Sequence, residues 1–174
     1  MPAKTRPGWR TAGALVAIFL AQSTAPSWAA GKIVGFDAAI APGTIVVRTQ
    51  ERKLYLVLGS GAALQYKVGV GRVGRQWTGA SVINGKYIRP NWAPPDAVRR
   101  DKPGLPKLIA SGAPGNPMGE AALTLAGGEY AIHGTNVPNS IGSFVSYGCI
   151  RMYNRDIVDL YSRVSVGSPV LVTR

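Results

Sequence analysis

The chain contains one cysteine and one histidine, and these two residues are its strongest candidates for chemistry. Cys149 follows His133 by 16 residues. A thiol with an ordinary pKa of about 8.5 is a weak nucleophile at neutral pH, but a neighbouring imidazole can accept its proton and stabilise the thiolate. The pair therefore predicts thiol chemistry, with Cys149 as the nucleophile and His133 as the base.

The residues next to this pair suit the same chemistry. Gly148 permits a sharp turn directly before Cys149, and in such a turn the backbone amides of Tyr147, Gly148 and Cys149 are candidate donors to an oxyanion. No acidic residue lies close to His133 in the sequence. We therefore expect a backbone carbonyl, that of Gly134, to contact the second ring nitrogen of His133 and orient the imidazole.

Two other interpretations of Cys149 stay open at this point. An isolated cysteine can be a small buried apolar residue, although an odd cysteine in an exported protein also indicates a reactive thiol. Zinc binding is disfavoured, because zinc sites use three or four close protein ligands, whereas one Cys and one His supply two. We predict no metal and no organic cofactor.

The predicted elements that position these residues are mainly strands. Runs rich in β-branched and aromatic residues occur before and after a long central segment, and the first three runs predict an antiparallel meander. The predicted strands cover residues 44–49, 53–58, 63–70, 123–125, 130–132 and 169–173.

The central segment, residues 71–119, is rich in glycine, proline and asparagine. Its prolines predict that it contains no long helix and no central strand, because proline removes a backbone donor. Loops of this length in a compact domain usually form a lid or a binding surface. We expect one of these roles for residues 71–119.

One amphipathic helix is predicted after Cys149. Asn154 is a candidate N-cap, Asp156 suits the positive end of the helix, and Gly167 is expected to stop it. An apolar face with helical spacing should pack this helix against the sheet and thereby fix the segment that contains Cys149. That face comprises Ile157, Leu160, Tyr161 and Val164.

The N-terminus has the pattern of a signal peptide. Lys4, Arg6 and Arg10 precede an apolar stretch over residues 12–21, which is about half the length of a membrane-spanning helix. Small residues follow, and we expect cleavage after Ala29, with Ala30 as the nearby alternative. A buried N-terminal helix is the competing interpretation. The predicted organisation is a signal peptide over 1–29, a short segment over 30–43 and one domain over 44–174, without a membrane span.

Export and charge restrict the partners. Without the three leader cations, the remaining Lys and Arg of the 20 in the chain, set against 8 Asp and Glu, give a net charge of about +9. This charge serves solubility or attracts a polyanion such as a wall polymer. The cations are scattered, and an exported chain does not meet nucleic acid, so nucleic-acid binding is disfavoured.

The segments around His133 and Cys149 resemble a known family. His133-Gly134 followed by Ser146-Tyr147-Gly148-Cys149-Ile150-Arg151 is similar to the signature of the L,D-transpeptidase catalytic domain. This is the YkuD-type fold, with ErfK/YbiS/YcfS/YnhG-like members, and the resemblance covers residues 44–172. It implies a β-sandwich or mixed sheet with a long Pro/Gly-rich loop region and one C-terminal helix. Two positions depart from the family: Tyr147, where many members have His, and Trp77, where Pro is common.

The resemblance implies acyl transfer on peptidoglycan. Cys149 would attack the carbonyl of the L-centre at the third residue of a donor tetrapeptide stem and release D-Ala. The thioester would then pass to an amine on an acceptor stem, forming a 3→3 crosslink, or to an amine of an outer-membrane lipoprotein. Hydrolysis by a carboxypeptidase of the same fold and a non-catalytic wall-binding module are the alternatives. We expect a monomer in the periplasm or cell wall.

Four further residues are candidates for substrate contacts. Arg151 is expected to order the catalytic loop or bind a substrate carboxylate, or else to pair with Asp156 or Asp159. Ser146 is expected to bond either substrate or the turn. Trp92 and Tyr130 are candidates for the wall of the donor cleft, with a core position as the alternative for Tyr130.

Overall fold

The computed structural model describes residue 1 and residues 31–174. Residues 2–30, which carry most of the predicted signal peptide and its cleavage site, lie outside the described part of the chain. Within that part, no helix has both the length and the apolar character needed to cross a membrane.

Strands account for most of the regular structure in residues 31–174. The two α-helices are α1 (Asp96–Asp101) and α2 (Asn154–Arg163), and a single 3₁₀ turn covers Pro138–Ser140. The strands are β1 (Lys32–Gly35), β2 (Ile45–Arg48), β3 (Lys53–Gly59), β4 (Ala62–Lys67), β5 (Val70–Gly71), β6 (Gly79–Ile88), β7 (Ala121–Leu125), β8 (Ala131–His133), β9 (Phe144–Ser146), β10 (Ile150–Arg151) and β11 (Pro169–Thr173).

Nine strands form one mixed sheet in the order β1-β4-β3-β2-β11-β6-β7-β8-β10, and β5 pairs with β9 separately. The meander β2-β3-β4 is antiparallel, as predicted. Strand β11 lies in the middle of the sheet, parallel to β2 and antiparallel to β6. The sequence-based expectation of a mainly β fold with a mixed sheet is therefore confirmed.

Side-chain alternation along the strands separates two apolar clusters. In β3, Leu54 and Leu56 face the main core, whereas Tyr55 and Val57 face a smaller cluster on the other side. The main core draws residues from both halves of the sheet and from α2, including Ile132 and Ile150 beside the candidate catalytic pair. Burial of these side chains stabilises the fold and holds β8 and β10 in place.

The expectation of no central strand in residues 71–119 is wrong. Strand β6 covers ten of these residues and lies between β11 and β7 in the interior of the sheet. Its sequence contains no proline, because the prolines of the segment begin at Pro90. Only the part from residue 89 to residue 119 forms the long loop region, which contains the short helix α1.

The main differences from the predicted strands in the first half of the sheet are one added strand and one divided strand. The segment before residue 44 contributes β1, an edge strand that pairs antiparallel with β4. The predicted third strand, residues 63–70, is divided into β4 and β5. After β4 the chain leaves the meander: Gly69 pairs with Arg151, and β5 pairs with β9. This division brings residues 69–71 against the segment that contains Cys149.

Helix α2 forms where the sequence predicts it, but its ends differ. The N-cap residue is Tyr153, and Asn154 makes no capping hydrogen bond. Asn154 instead accepts hydrogen bonds from the backbone amides of Thr135 and Glu120. The helix ends at Arg163, before the predicted stop at Gly167. Ile157 and Leu160 are fully buried, as the apolar face requires.

Candidate active site

The pairing of β8 with β10 brings the candidate residues together. The two strands are parallel, with Ile150 opposite Ile132 and Arg151 opposite His133. Cys149 directly precedes β10, so this register places it level with Ala131, at the start of the strand that ends in His133. Parallel pairing of two short strands thus converts a separation of 16 residues in the sequence into proximity.

A cavity of about 240 Å³ opens at this end of the sheet. Its wall contains all seven non-glycine residues that the sequence selects, together with residues of the loop region such as Val98 and Met118. The seven are Trp92, Tyr130, His133, Ser146, Tyr147, Cys149 and Arg151. Their catalytic and binding roles remain predictions.

The imidazole of His133 is buried, with 4% of the residue exposed. Its Nδ1 lies 2.7 Å from the carbonyl oxygen of Gly134, which is the contact expected from the sequence. Burial and the nearby Arg151 cation lower the pKa of His133 to about 4, against the opposing effect of the Gly134 and Pro117 carbonyls. The ring is therefore neutral at neutral pH. A proton on Nδ1, bonded to Gly134, leaves Nε2 able to accept another.

The Cys149 side chain is half-buried in the cavity wall. Burial raises the pKa of the thiol, while the backbone amide of Ala131 and the Arg151 cation lower it. Among residues 31–174, the hydrogen-bond contact of Sγ is the Glu129 carbonyl, at 4.0 Å, and no hydrogen bond joins it to His133. The resting pair is therefore a neutral thiol beside a neutral imidazole, so proton transfer must accompany attack.

The turn before Cys149 differs from the expectation at the Gly148 amide. Ser146, which is buried, accepts a hydrogen bond from the Gly148 amide at 3.1 Å and donates one to the Cys149 carbonyl at 2.6 Å. Its hydroxyl therefore bonds the turn, which is one of the two partners expected from the sequence. The Gly148 amide is likewise engaged, which corrects the expectation that it donates to an oxyanion. The amides of Tyr147 and Cys149 have no acceptor within the described structure.

Gly148 has a φ of +126°, and a Cβ there would lie 3.0 Å from Cζ of Tyr130 and closer still to Cε1. We expect Gly148→Ala to lower the free energy of unfolding by about 2 kcal/mol or more, because it combines backbone strain with overlap against the ring. Equilibrium unfolding in urea measures this change. The matched control is Gly127→Ala, where φ is +82° and the Cβ meets open space.

The control should cost about 1 kcal/mol, from backbone strain alone. Equal losses for the two variants would show that packing of Tyr130 against Gly148 contributes nothing to the stability of the turn.

Arg151 is not part of a salt bridge in residues 31–174, and its Nε is buried without a hydrogen-bond partner. The alternative of a pair with Asp156 or Asp159 is wrong. Asp156 faces Arg155, and Asp159 pairs with Arg163 at 2.8 Å. The guanidinium of Arg151 lies in the cavity wall, where a half-buried cation without a salt bridge favours an anionic ligand.

The loop region covers one side of the cavity. Trp92 forms two backbone hydrogen bonds with Ile109, which close a loop around α1. At the end of α1, Asp101 accepts a hydrogen bond from the Tyr147 hydroxyl at 2.8 Å and pairs with Arg72 at 2.6 Å. Tyr147 thus connects the turn at Cys149 to the loop region through its side chain.

Two residues near the site were missed by sequence reasoning as positioning groups. Asn154, expected as a helix cap, ties α2 to the amide of Thr135 just after His133, at 2.9 Å. Trp77 donates from its indole Nε1 to the Gly148 carbonyl at 2.9 Å. The only sequence signal at Trp77 was its departure from the residue common in the family.

Comparison with known proteins agrees with the fold and the motif. The family model for the YkuD L,D-transpeptidase catalytic domain matches residues 42–172. The chain is 36% identical over 136 residues to "Probable L,D-transpeptidase YbiS" of Escherichia coli K12, covering 72% of this chain and 43% of that protein. It is 38% identical over 137 residues to "Probable L,D-transpeptidase ErfK/SrfK" of the same organism, covering 74% and 43%. The chain thus spans less than half the length of these relatives.

Solved structures show the same fold at low sequence identity. The Enterococcus faecium L,D-transpeptidase catalytic domain acylated by ertapenem superposes with a TM-score of 0.57 at 18% identity, covering 75% of this chain and 95% of that one. The L,D-transpeptidase LdtMt1 in complex with imipenem gives 0.57 at 17% identity, covering 75% and 58%. With the family model matching most of its length, this chain belongs to the YkuD-type L,D-transpeptidase family.

Proposed function

We propose that the chain is a peptidoglycan L,D-transpeptidase that uses Cys149 as its nucleophile. The observation that carries the proposal is the cavity in which a half-buried thiol, a neutral imidazole and an unpaired guanidinium meet. Of these groups, the thiol is the one able to form a covalent acyl intermediate. Membership of the family supplies the substrate class, peptide stems of peptidoglycan.

In the first half of the reaction, Nε2 of His133 accepts the thiol proton as Sγ of Cys149 attacks the third-residue carbonyl of a donor tetrapeptide stem. The amides of Tyr147 and Cys149 stabilise the oxyanion, since both lack other acceptors. When the tetrahedral intermediate collapses, the C–N bond to the terminal D-Ala breaks. The imidazolium returns its proton to the leaving amine, and a thioester on Cys149 remains.

In the second half, an acceptor amine attacks the thioester carbonyl and His133 takes the proton from this amine. Collapse breaks the C–S bond, and the thiol is restored. The acceptor is an amine of a second stem, giving a 3→3 crosslink, or an amine of an outer-membrane lipoprotein. Water at the same step would make the protein a carboxypeptidase.

The cavity wall suggests how a donor stem binds. Arg151 offers a half-buried cation to a substrate carboxylate, and within the described residues it forms no salt bridge and its Nε has no hydrogen-bond partner. Trp92 and Tyr130 both line the cavity and add aromatic surface to its wall. The predicted export signal over 1–29 would place this monomeric enzyme in the periplasm or cell wall, where its substrate lies.

A carbapenem separates the enzyme from a non-catalytic wall-binding module. Related structures carry imipenem or an acyl group from ertapenem. We expect one equivalent of ertapenem to add covalently to this protein, with the adduct located on Cys149 by peptide mass spectrometry. The absence of an adduct after long incubation would contradict the proposed nucleophile.

Purified muropeptides distinguish transfer from hydrolysis. Incubation of disaccharide tetrapeptides with the protein should yield dimers with a 3→3 link together with free D-Ala, both measured by liquid chromatography and mass spectrometry. Tripeptide without dimers would assign the protein as a hydrolase, and formation of neither product would refute the substrate class.

A further inference from the structure

Trp77 contacts the peptide unit immediately before the nucleophile. Its indole Nε1 donates to the carbonyl oxygen of Gly148 at 2.9 Å, and its ring stacks on Tyr130 with centroids 5.1 Å apart and planes 8° apart. Trp77 follows β5 by six residues, so the contact spans 71 positions of the sequence. Trp77 is not among the residues that line the cavity.

The hydrogen bond from Trp77 to the Gly148 carbonyl determines the direction of the Cys149 N–H. Gly148 and Cys149 share a trans peptide unit, in which the C=O and the N–H point in opposite directions. A carbonyl held against Trp77 therefore turns the N–H of Cys149 away from Trp77. That N–H has no acceptor among residues 31–174, although it belongs to a residue of the cavity wall.

Contacts from Ser146 and Tyr130 restrict the orientation of the Gly148–Cys149 peptide unit. The Ser146 hydroxyl accepts a hydrogen bond from the Gly148 amide on one side of this peptide unit. It donates one to the Cys149 carbonyl on the other side. The ring of Tyr130 lies against the Cα of Gly148, where a Cβ would overlap it. Without such contacts, a peptide unit next to a glycine can adopt more orientations than one next to any other residue. The indole N–H is the contact that selects one orientation of the carbonyl.

We propose that Trp77 is a positioning residue that aims the Cys149 amide at the oxyanion of the acyl-transfer step. This inference rests on the proposed role of Cys149 as a nucleophile, but it does not depend on peptidoglycan as the substrate. An oxyanion donor is effective when its direction is fixed before the reaction, so its stabilisation costs no reorganisation. The indole supplies that fixed direction from outside the cavity, without touching the substrate.

Two reactions of the same thiol test the proposal. Acyl transfer from p-nitrophenyl acetate to Cys149 passes through a tetrahedral oxyanion, whereas alkylation by iodoacetamide displaces iodide and forms no oxyanion. Trp77→Phe keeps an aromatic ring on Tyr130 and removes the N–H. We expect its acylation rate constant to fall about 10- to 100-fold, while its alkylation rate constant stays within about twofold of the parent.

Trp77→His is the matched variant. Nε2 of a histidine lies two bonds from Cγ, as does the indole Nε1, so a neutral imidazole can donate to Gly148 without the second ring. At pH 8 we expect this variant to keep acylation within about threefold of the parent. Circular dichroism and thermal unfolding verify that both variants fold.

Equal loss of acylation in the Phe and His variants, or an equal loss of acylation and alkylation in the Phe variant, would overturn the proposal. Acylation by the Phe variant at the parent rate would do the same. Should the Phe variant not fold, loss of acylation by a folded His variant refutes the proposal and retention supports it. A parent that acylates from the ester but forms no muropeptide product would refute the proposed substrate while leaving the role of Trp77 intact.

Discussion

Replacing Cys149 by alanine is expected to abolish release of D-Ala from tetrapeptide stems, with a loss on the order of 10⁴-fold or more. The side chain is the single thiol of the chain, and the residue lines the cavity with His133 and Arg151. Without Sγ no thioester forms, so the remaining groups can only bind substrate. The measurement is the rate of D-Ala release, with the ertapenem adduct as an independent readout.

Cys149→Ser provides a stricter form of the same test. A hydroxyl is a far weaker nucleophile than a thiol when its base is a neutral imidazole, and we expect an equally inactive protein. The control is Ser162→Ala, which removes one oxygen from the exposed surface of α2 and should leave the rate unchanged. D-Ala release by Cys149→Ala at more than about one per cent of the parent rate would contradict the mechanism.

The second large effect is expected at His133. His133→Gln should lower the rate constant of D-Ala release by about 10²- to 10⁴-fold, because general-base catalysis is lost while the thiol is retained. The variant should still react with iodoacetamide at high pH, since hydroxide can then deprotonate the thiol. A variant that keeps the parent rate at pH 7 would exclude His133 as the base.

The pH dependence of D-Ala release by the parent protein tests the same role of His133. Because burial lowers the pKa of His133 to about 4, the ring can accept a proton throughout the range from pH 5 to pH 8. We expect D-Ala release to hold its rate down to about pH 5 and to fall as the pH passes through 4, where the imidazole becomes protonated. A midpoint near 6.5, the ordinary value, would show that the ring is solvated in the working enzyme.

The raised pKa of Cys149 affects the other side of the profile. Burial disfavours the thiolate and raises the thiol pKa. The rate of alkylation of the free enzyme should therefore keep increasing at pH values above the ordinary pKa of a thiol, and it should not level off near neutral pH. A plateau below pH 7 would indicate a thiolate–imidazolium pair in the resting state.

Sequence reasoning predicted those features that depend on local patterns. Strand β3 has the alternation and branched residues of a strand, and Ile157 and Leu160 have helical spacing, so both elements form as expected. The Gly134 carbonyl could be selected as the partner of His133 because it is one residue away in the sequence. These predictions required no knowledge of segments that are far away in the sequence.

Features that depend on distant segments could not be predicted in this way. The prolines that follow residue 89 hid β6, whose position is set by pairing with β11 and β7. Asp156 and Asp159 looked like partners for Arg151 because they are close in sequence, yet α2 directs them to Arg155 and Arg163. The hydrogen bond from Trp77 to Gly148 depends on a fold that brings two loops together.

The central position of β11 determines when the sheet can be completed. Val170 pairs with Ile45 on one side and Ser81 on the other, whereas β7, β8 and β10 pair within residues 121–151. A chain that emerges N-terminus first, in synthesis or in export, can therefore pair its catalytic strands before β11 is available to complete the sheet. Until residues 169–173 are available, β2 and β6 keep open edges that invite aggregation. Pairing between strands that are far apart in the sequence also slows folding. We therefore expect this domain to complete its fold late and to benefit from a chaperone.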